Sequence, residues 1–218
     1  MLASTISQAR SPTHPFGAGH PTFPSPCDSQ RPQLVAFRQA GEEIYAAGDP
    51  VKHIYRVEYG AVRVFRLLAD GRRQISAFHV AGEIFGFEAR LDHEFFAEAI
   101  NATGIRPLRL AAIEDVSRDL FPVALQSLTA MQKHLLILSR HAAIERLAAF
   151  LVDMAERQGD LDQIHLPMSR MDIADHLGLT IETVSRTFTR LKELGLIQLP
   201  DSRNIEILRR NALNDIGE

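Results

Sequence analysis

The side chains of this sequence with the most evident chemistry are Glu182, Ser185, Arg186 and Thr189, spaced so that they share the outer face of a helix, with Thr183 and Arg190 alongside. An arginine fork matches guanine O6 and N7, a carboxylate accepts from the amino group of cytosine, and a hydroxyl serves either kind of base. Hydroxyls and guanidinium groups also bond phosphate oxygens. This is the chemistry of reading double-stranded DNA.

Two helices and a turn have to hold that face. Ser169 stands three residues before Asp172, the capping-box spacing for a first short helix with Ile173, Ala174 and Leu177 on its apolar side. Gly178 supplies the backbone freedom of a sharp turn. Thr180 caps a second helix, Thr180–Leu194, in which Val184, Phe188 and Leu191 bury the opposite side. The stretch is a helix-turn-helix whose second helix is the recognition helix. Upstream, Ile144–Arg157 carries Leu147, Leu151 and Met154 on one side and stops near Gly159, and Ile164–Pro167 is a short strand. Downstream, LIQLP and NIEILRR are two strands around Pro200–Arg203. Residues 143–218 therefore form a winged helix-turn-helix domain.

The remaining chain divides by its periodicity. Residues 33–114 hold short β-branched and aromatic runs (LVAF, EEIY, HIYRVEY, AVRVFRLL, RRQISAFHV, FFAEAINA, LRLAAI) separated by Gly-containing turns. They predict an antiparallel barrel or sandwich, with Asp70-Gly71 as a type I′ hairpin turn. Residues 115–142 turn helical: Phe121, Ala124, Leu128, Met131, Leu135, Leu138 and Ala142 follow an unbroken 3-4 spacing, the seam of a helix that pairs with a copy of itself. Pro122 fits the first turn of that helix. Residues 1–32 hold six of the eleven prolines and predict a disordered tail, in which Cys27 is incidental. Strands followed by helices make the class α+β.

Composition narrows the function classes. A 45% hydrophobic and 23% charged chain is an ordinary soluble one. It has no apolar run near the roughly 18 residues of a membrane span and no signal-peptide core, so a cytoplasmic location is expected and no membrane partner. A single cysteine excludes an internal disulfide and a cysteine-ligated cluster. On the barrel pattern alone a cupin-like metalloenzyme could be entertained, but clustered His and Glu ligands are missing. The formal net charge is −3, and Met168–Glu218 holds seven Lys/Arg against eight Asp/Glu. Charge gives no case for nucleic acid, so geometry has to carry it.

In the order of its parts, the chain after the tail resembles the CRP/FNR superfamily of bacterial transcription regulators. ERLAAFLVDMAER is similar to the helix that follows the dimer helix in that family. LGLTIETVSRTFTRLKELGLI is similar to the recognition helix of the FNR branch, whose Glu, Ser-Arg signature falls on Glu182, Ser185 and Arg186. The resemblance implies a cyclic-nucleotide-binding-like β-roll at 33–114, a dimerisation helix at 115–142 and no catalytic activity. Cyclic-nucleotide sensors carry a Glu and an Arg-Ser or Arg-Thr pair for ribose and phosphate, whereas Phe87 and Phe95-Phe96 align there. A cyclic phosphate against phenylalanine would lose its charge partner. Haem-sensing relatives need an axial ligand, for which His79 and His93 are the candidates, although a lone barrel histidine is commonly structural. The FNR-type iron–sulfur cysteines are missing.

What is left resembles the FixK-type regulators, and the resemblance implies the following expectations. The protein is a homodimeric activator of low-oxygen or nitrogen-fixation-related genes, without a cofactor, working with RNA polymerase on a palindrome of TTGAT and ATCAA half-sites. Arg186 reads guanine, Glu182 the opposed cytosine strand and Ser185 a thymine. Arg170, Thr180, Thr183, Thr189 and Arg190 are phosphate-contact candidates. Ile181 stands where CRP has Arg, which favours the FNR-type site. The rival expectation is an effector-gated regulator whose β-roll binds a small apolar molecule or haem, the Phe-rich Phe85–Phe96 stretch lining its pocket.

Overall fold

A computed structural model of the protein describes residues 34–108 and 113–217; the proline-rich tail and Cys27 lie outside the described residues. Eight strands come first: β1 (Ala36–Arg38), β2 (Glu43–Tyr45), β3 (Ile54–Tyr59), β4 (Ala61–Leu67), β5 (Arg73–Val80), β6 (Ile84–Phe85), β7 (Phe96–Ala99) and β8 (Thr103–Leu108). They form two four-stranded antiparallel sheets, β1-β8-β3-β6 and β2-β7-β4-β5. Alternate residues point inward. Val57, Phe85 and Ile105 of one sheet thereby meet Tyr45, Val62, Val64 and Ala97 of the other in a common core.

Helices follow: α1 (Ile113–Ser139), α2 (Ala143–Arg157), then strand β9 (Gln163–His165), α3 (Arg170–Leu177), α4 (Ile181–Glu193), strands β10 (Ile197–Gln198) and β11 (Asn204–Ile207), and α5 (Arg210–Gly217). Strands β10, β11 and β9 pair in that order as the wing sheet. No described helix is long and apolar enough to cross a membrane.

Four local expectations are corrected. The β4–β5 hairpin closes through Leu68 N–H to Arg72 O (2.8 Å) and Gly71 N–H to Leu68 O (2.9 Å), with only Gly71 left-handed. A type I′ turn needs positive φ at both central residues; this is a three-residue loop with Gly at its end. Apart from Leu108, strand β8 at Thr103–Leu108 falls outside the expected runs, its pattern broken by Gly104 and Pro107, while residues 109–112 of the LRLAAI run lie outside the described residues and Ile113 begins α1. Pro122 is in the interior of α1, not its first turn, so the helix forgoes one backbone hydrogen bond there. Finally, α1 ends at Ser139, and Ala142 is the extended N-cap of α2, its N–H donating to the Glu145 carboxylate (3.2 Å).

The two halves of the chain share one apolar core. Phe65, Ile75 and Phe78 of the β-roll cluster with Ile137 of α1, Phe150 and Leu151 of α2, and Ile173 and Leu177 of α3. His176 of α3 lies inside this junction. Its Nδ1–H donates to Ile75 O (3.1 Å) and its ring stacks on His134 of α1 with centroids 3.9 Å apart. Burial, reinforced by His134, pushes the His176 imidazole down to about 3. Nearby, Arg157 of α2 pairs with Glu83 (2.8 Å). Burial acts to raise the Glu83 carboxyl, but hydrogen bonds from His79 and Arg157 outweigh it and bring it down to about 2.

Both groups give acid lability of the same sign. His176 folds neutral, so its contribution is complete above the unfolded value of 6.5 and is lost as pH falls from there toward about 3. Glu83 folds charged, and its contribution is lost below 4.5, toward about 2. Between pH 6 and 5 the stability should therefore fall by about 1.4 kcal/mol per pH unit through His176 alone. Urea unfolding at a series of pH values measures this. His176→Gln, which can still bond Ile75 O, should flatten the slope above pH 5; an unchanged slope would show that another group titrates there.

Candidate nucleic-acid interface

The helix-turn-helix is built as the local signals require. Ser169 Oγ accepts the Asp172 N–H (3.1 Å), and Asp172 Oδ2 accepts the Ser169 N–H (3.0 Å) and hydroxyl (2.7 Å). Gly178 closes α3 in the left-handed conformation (φ 64°). The Thr180 hydroxyl accepts the Thr183 N–H (3.2 Å) and so starts α4. Val184, Phe188 and Leu191 are buried, as are Ile173, Ala174 and Leu177 opposite them. Burying that side fixes which side of α4 faces outward.

On the outward side Glu182, Ser185, Arg186, Thr189 and Arg190 are exposed, and Thr183 is half-buried. Arg186 and Arg190 border a shallow depression with Ile144, Thr183 and Thr187. Hydrogen bonds at the helix N-terminus, from the Glu182 backbone and the Thr180 side chain, hold the Glu182 carboxyl below its usual range, with Arg186 adding to them. It is thus a charged acceptor at the end of the helix that would meet a base edge. The Thr189 hydroxyl donates to Ser185 O (3.2 Å), and Arg190 pairs with Glu193 (3.5 Å). A phosphate contact by either would replace a local bond.

Arg170 stands apart from that face. Its guanidinium lies 3.2 Å from the centre of the Phe188 ring, and Nη2 reaches toward Ser202 O in the wing (3.5 Å). Burial lowers its pKa to about 10. It buttresses α3, α4 and the wing against one another. Beside it, Arg203 donates to Pro167 O, while the Asp201 carboxylate accepts the Arg203 and Asn204 N–H groups (2.7 and 2.8 Å). Asp201, two residues before Arg203, is the local signal that the tip of the wing is held by a side chain. Arg63 and Arg73, which contact Asp172 from the β-roll, carried no local signal: they lie 109 and 99 residues from it in sequence.

The β-roll core is aromatic where a ribose and cyclic phosphate would need polar partners. Tyr45 stacks on His93 (3.7 Å between centroids) and on Tyr55 (5.7 Å), and Phe85 stacks on Tyr55 (5.5 Å). Phe95 packs against this core, and Phe96 stacks on Phe65 (5.4 Å). With Phe95 and Phe96, the residues aligned with the phosphate-binding pair, packed in this way, the residues present do not fit a cyclic phosphate. His93 is buried with Nδ1 3.4 Å from Glu88, and His79 stacks on Phe85 beside Glu83, so both rings are packed into the roll.

Comparison with known proteins gives a consistent assignment. Residues 145–216 match the Crp-like helix-turn-helix domain, and residues 37–114 the cyclic nucleotide-binding domain. The chain is 52% identical over 191 residues to the nitrogen fixation regulation protein FixK of Rhizobium meliloti, covering 88% of this chain and 90% of that one. It is 40% identical to the FixK protein of Azorhizobium caulinodans, covering 78% and 74%. Among solved structures, FixK2 from Bradyrhizobium japonicum superposes with a TM-score of 0.79 at 38% identity, over 85% of this chain and 97% of that one. With both domains matched in order and a FixK relative aligned along most of its length, the chain belongs to the CRP/FNR family of transcription regulators and, within it, to the FixK type.

Proposed function

We propose that the protein is a homodimeric, sequence-specific DNA-binding regulator in the cytoplasm, an activator of nitrogen-fixation or low-oxygen genes. It binds a palindrome of TTGAT and ATCAA half-sites, recruits RNA polymerase and needs neither cyclic nucleotide nor an iron–sulfur cluster. The observation that carries this reading is the open face of α4, with Glu182, Ser185 and Arg186 exposed at the end of a helix whose other side is buried.

The dimer reading draws on α1. In the single chain Phe121, Leu128, Met131 and Leu135 are all more than half exposed, a continuous apolar stripe that a lone soluble molecule would not keep in water. Ala124 is exposed and Leu138 half-buried on the same seam, while Ala142 has left the helix. A two-fold pair of α1 helices would place two copies of α4 in successive major grooves, about 34 Å apart. The nitrogen-fixation role follows the names of the relatives. The effector-free reading is supported by the aromatic filling of the β-roll.

Gel shift with purified protein and the palindrome, without additions, is the first test, and cyclic AMP added to it should leave the affinity unchanged. A saturable effect at micromolar nucleotide would sink the effector-free reading. Arg186→Ala should cost about 1–3 kcal/mol per half-site and relax the preference at the guanine. Arg190→Ala, losing a phosphate contact, should weaken binding to all sequences alike and lower the salt slope by about one unit per contact. If Arg186→Ala keeps full discrimination, the register of α4 in the groove is not the one proposed.

Leu135→Asp tests the seam. It would set two carboxylates against each other in a desolvated interface, a loss of several kcal/mol in order of magnitude. Sedimentation should then show monomers and operator binding should collapse. A dimeric Leu135→Asp protein would place the interface elsewhere.

A further inference from the structure

The helix-turn-helix touches its own β-roll through a cluster of five charged side chains. Asp172, whose side chain is 4% exposed, presents Oδ1 to Arg73 Nη2 (2.6 Å) and to Arg63 Nη1 (3.3 Å). Its other oxygen is spent on the Ser169 cap of α3. Arg63 is held from behind by Glu98 (2.6 Å), and Arg73 also reaches Asp175 (2.9 Å). The Arg73 guanidinium lies 5.6 Å from the Phe65 ring centre, so its orientation is set by packing as well as by charge.

We infer that Arg63 and Arg73 are positioning residues for DNA recognition: through Asp172 they hold the helix-turn-helix on the β-roll in one orientation, so that α4 is presented to the groove without an effector. The inference rests on the dimeric, palindrome-binding reading above.

Three features support it. The covalent connection between α1 and α2 is only the non-helical stretch 140–142, which does not by itself dictate how the reading head is turned. Next, a buried ion pair contributes little net stability but specifies a geometry, because either partner alone is a stranded charge. Two arginines here face three carboxylates, so removing the arginines leaves excess negative charge that pushes α3 off the β-roll rather than merely loosening it. Last, half-sites about 34 Å apart reward a fixed orientation. Apparent affinity scales with the fraction of each head in the competent pose; at about one third per head, the loss in a dimer is about tenfold.

The test uses full-length protein with Cys27→Ser, dyes at Leu91→Cys on the β-roll and Asn211→Cys on α5, and single-molecule energy transfer within one protomer. Parent protein should give one narrow distribution. Arg63→Met with Arg73→Met keeps the apolar stems and the α3 cap; it should broaden or split the distribution. In unlabelled protein the same pair should weaken palindrome binding by about tenfold, at a temperature where circular dichroism shows both proteins fully folded. Arg73→Lys in an otherwise parental chain should be intermediate, since a point charge pairs with one carboxylate where the fork pairs with two. An unchanged distribution overturns the lock, and a broadened one with unchanged affinity overturns its role in recognition. Parent protein that fails to bind the palindrome at all overturns the functional reading instead, and the energy-transfer result still decides the lock.

Discussion

The buried Asp172 carboxylate stands between the two halves of this protein. Asp172 closes the first turn of α3 with one oxygen and receives two arginines of the β-roll with the other. Local helix formation and domain orientation are thereby coupled: the conformation that satisfies the cap also points the second oxygen at β4 and β5. Around it, Phe65, Ile75 and Phe78 close the apolar side of the junction, and His176 gives its one N–H to the Ile75 carbonyl. The apolar surface supplies the driving force, which has no direction of its own. Charge and hydrogen bonds supply the direction.

The β-roll shows what becomes of a sensor fold without the polar groups of a nucleotide site. Its centre holds stacked Tyr45, Tyr55, Phe85 and His93, and Arg63 of β4 reaches the helix-turn-helix. Its core joins the two sheets through packed and stacked rings. The fold matches a cyclic nucleotide-binding domain while the chemistry of its interior does not, which illustrates that function lies in the site and not in the fold.

The recognition helix depends on the same separation of roles. Val184, Phe188 and Leu191 fasten it, Arg170 braces it through the Phe188 ring, and the outer side chains stay in water. Removing Phe188 would therefore disturb the cap-proximal arginine as well as the core. Along α1, by contrast, Met131 and Leu135 are exposed among the described residues.

Much of this was legible in the sequence because it is local. The capping box at Ser169, the Gly178 turn, the Thr180 cap and the buried spacing of α4 each depend on residues within a few positions, where rotamers and backbone hydrogen bonds decide the outcome. The Glu182, Ser185, Arg186 face follows from helical period alone. The sequence misplaced elements where local signals conflict: Gly104 and Pro107 hide β8, Pro122 suggests a helix start that the longer apolar pattern overrides, and no Gly or Pro marks the break before Ala142. What only the tertiary structure decided is which charges meet. The fold brings Asp172 to Arg63 and Arg73 from about a hundred positions away, and it sets the Arg170 guanidinium over the Phe188 ring. Electrostatic partners are chosen by distance and desolvation in space, and a one-dimensional pattern carries neither.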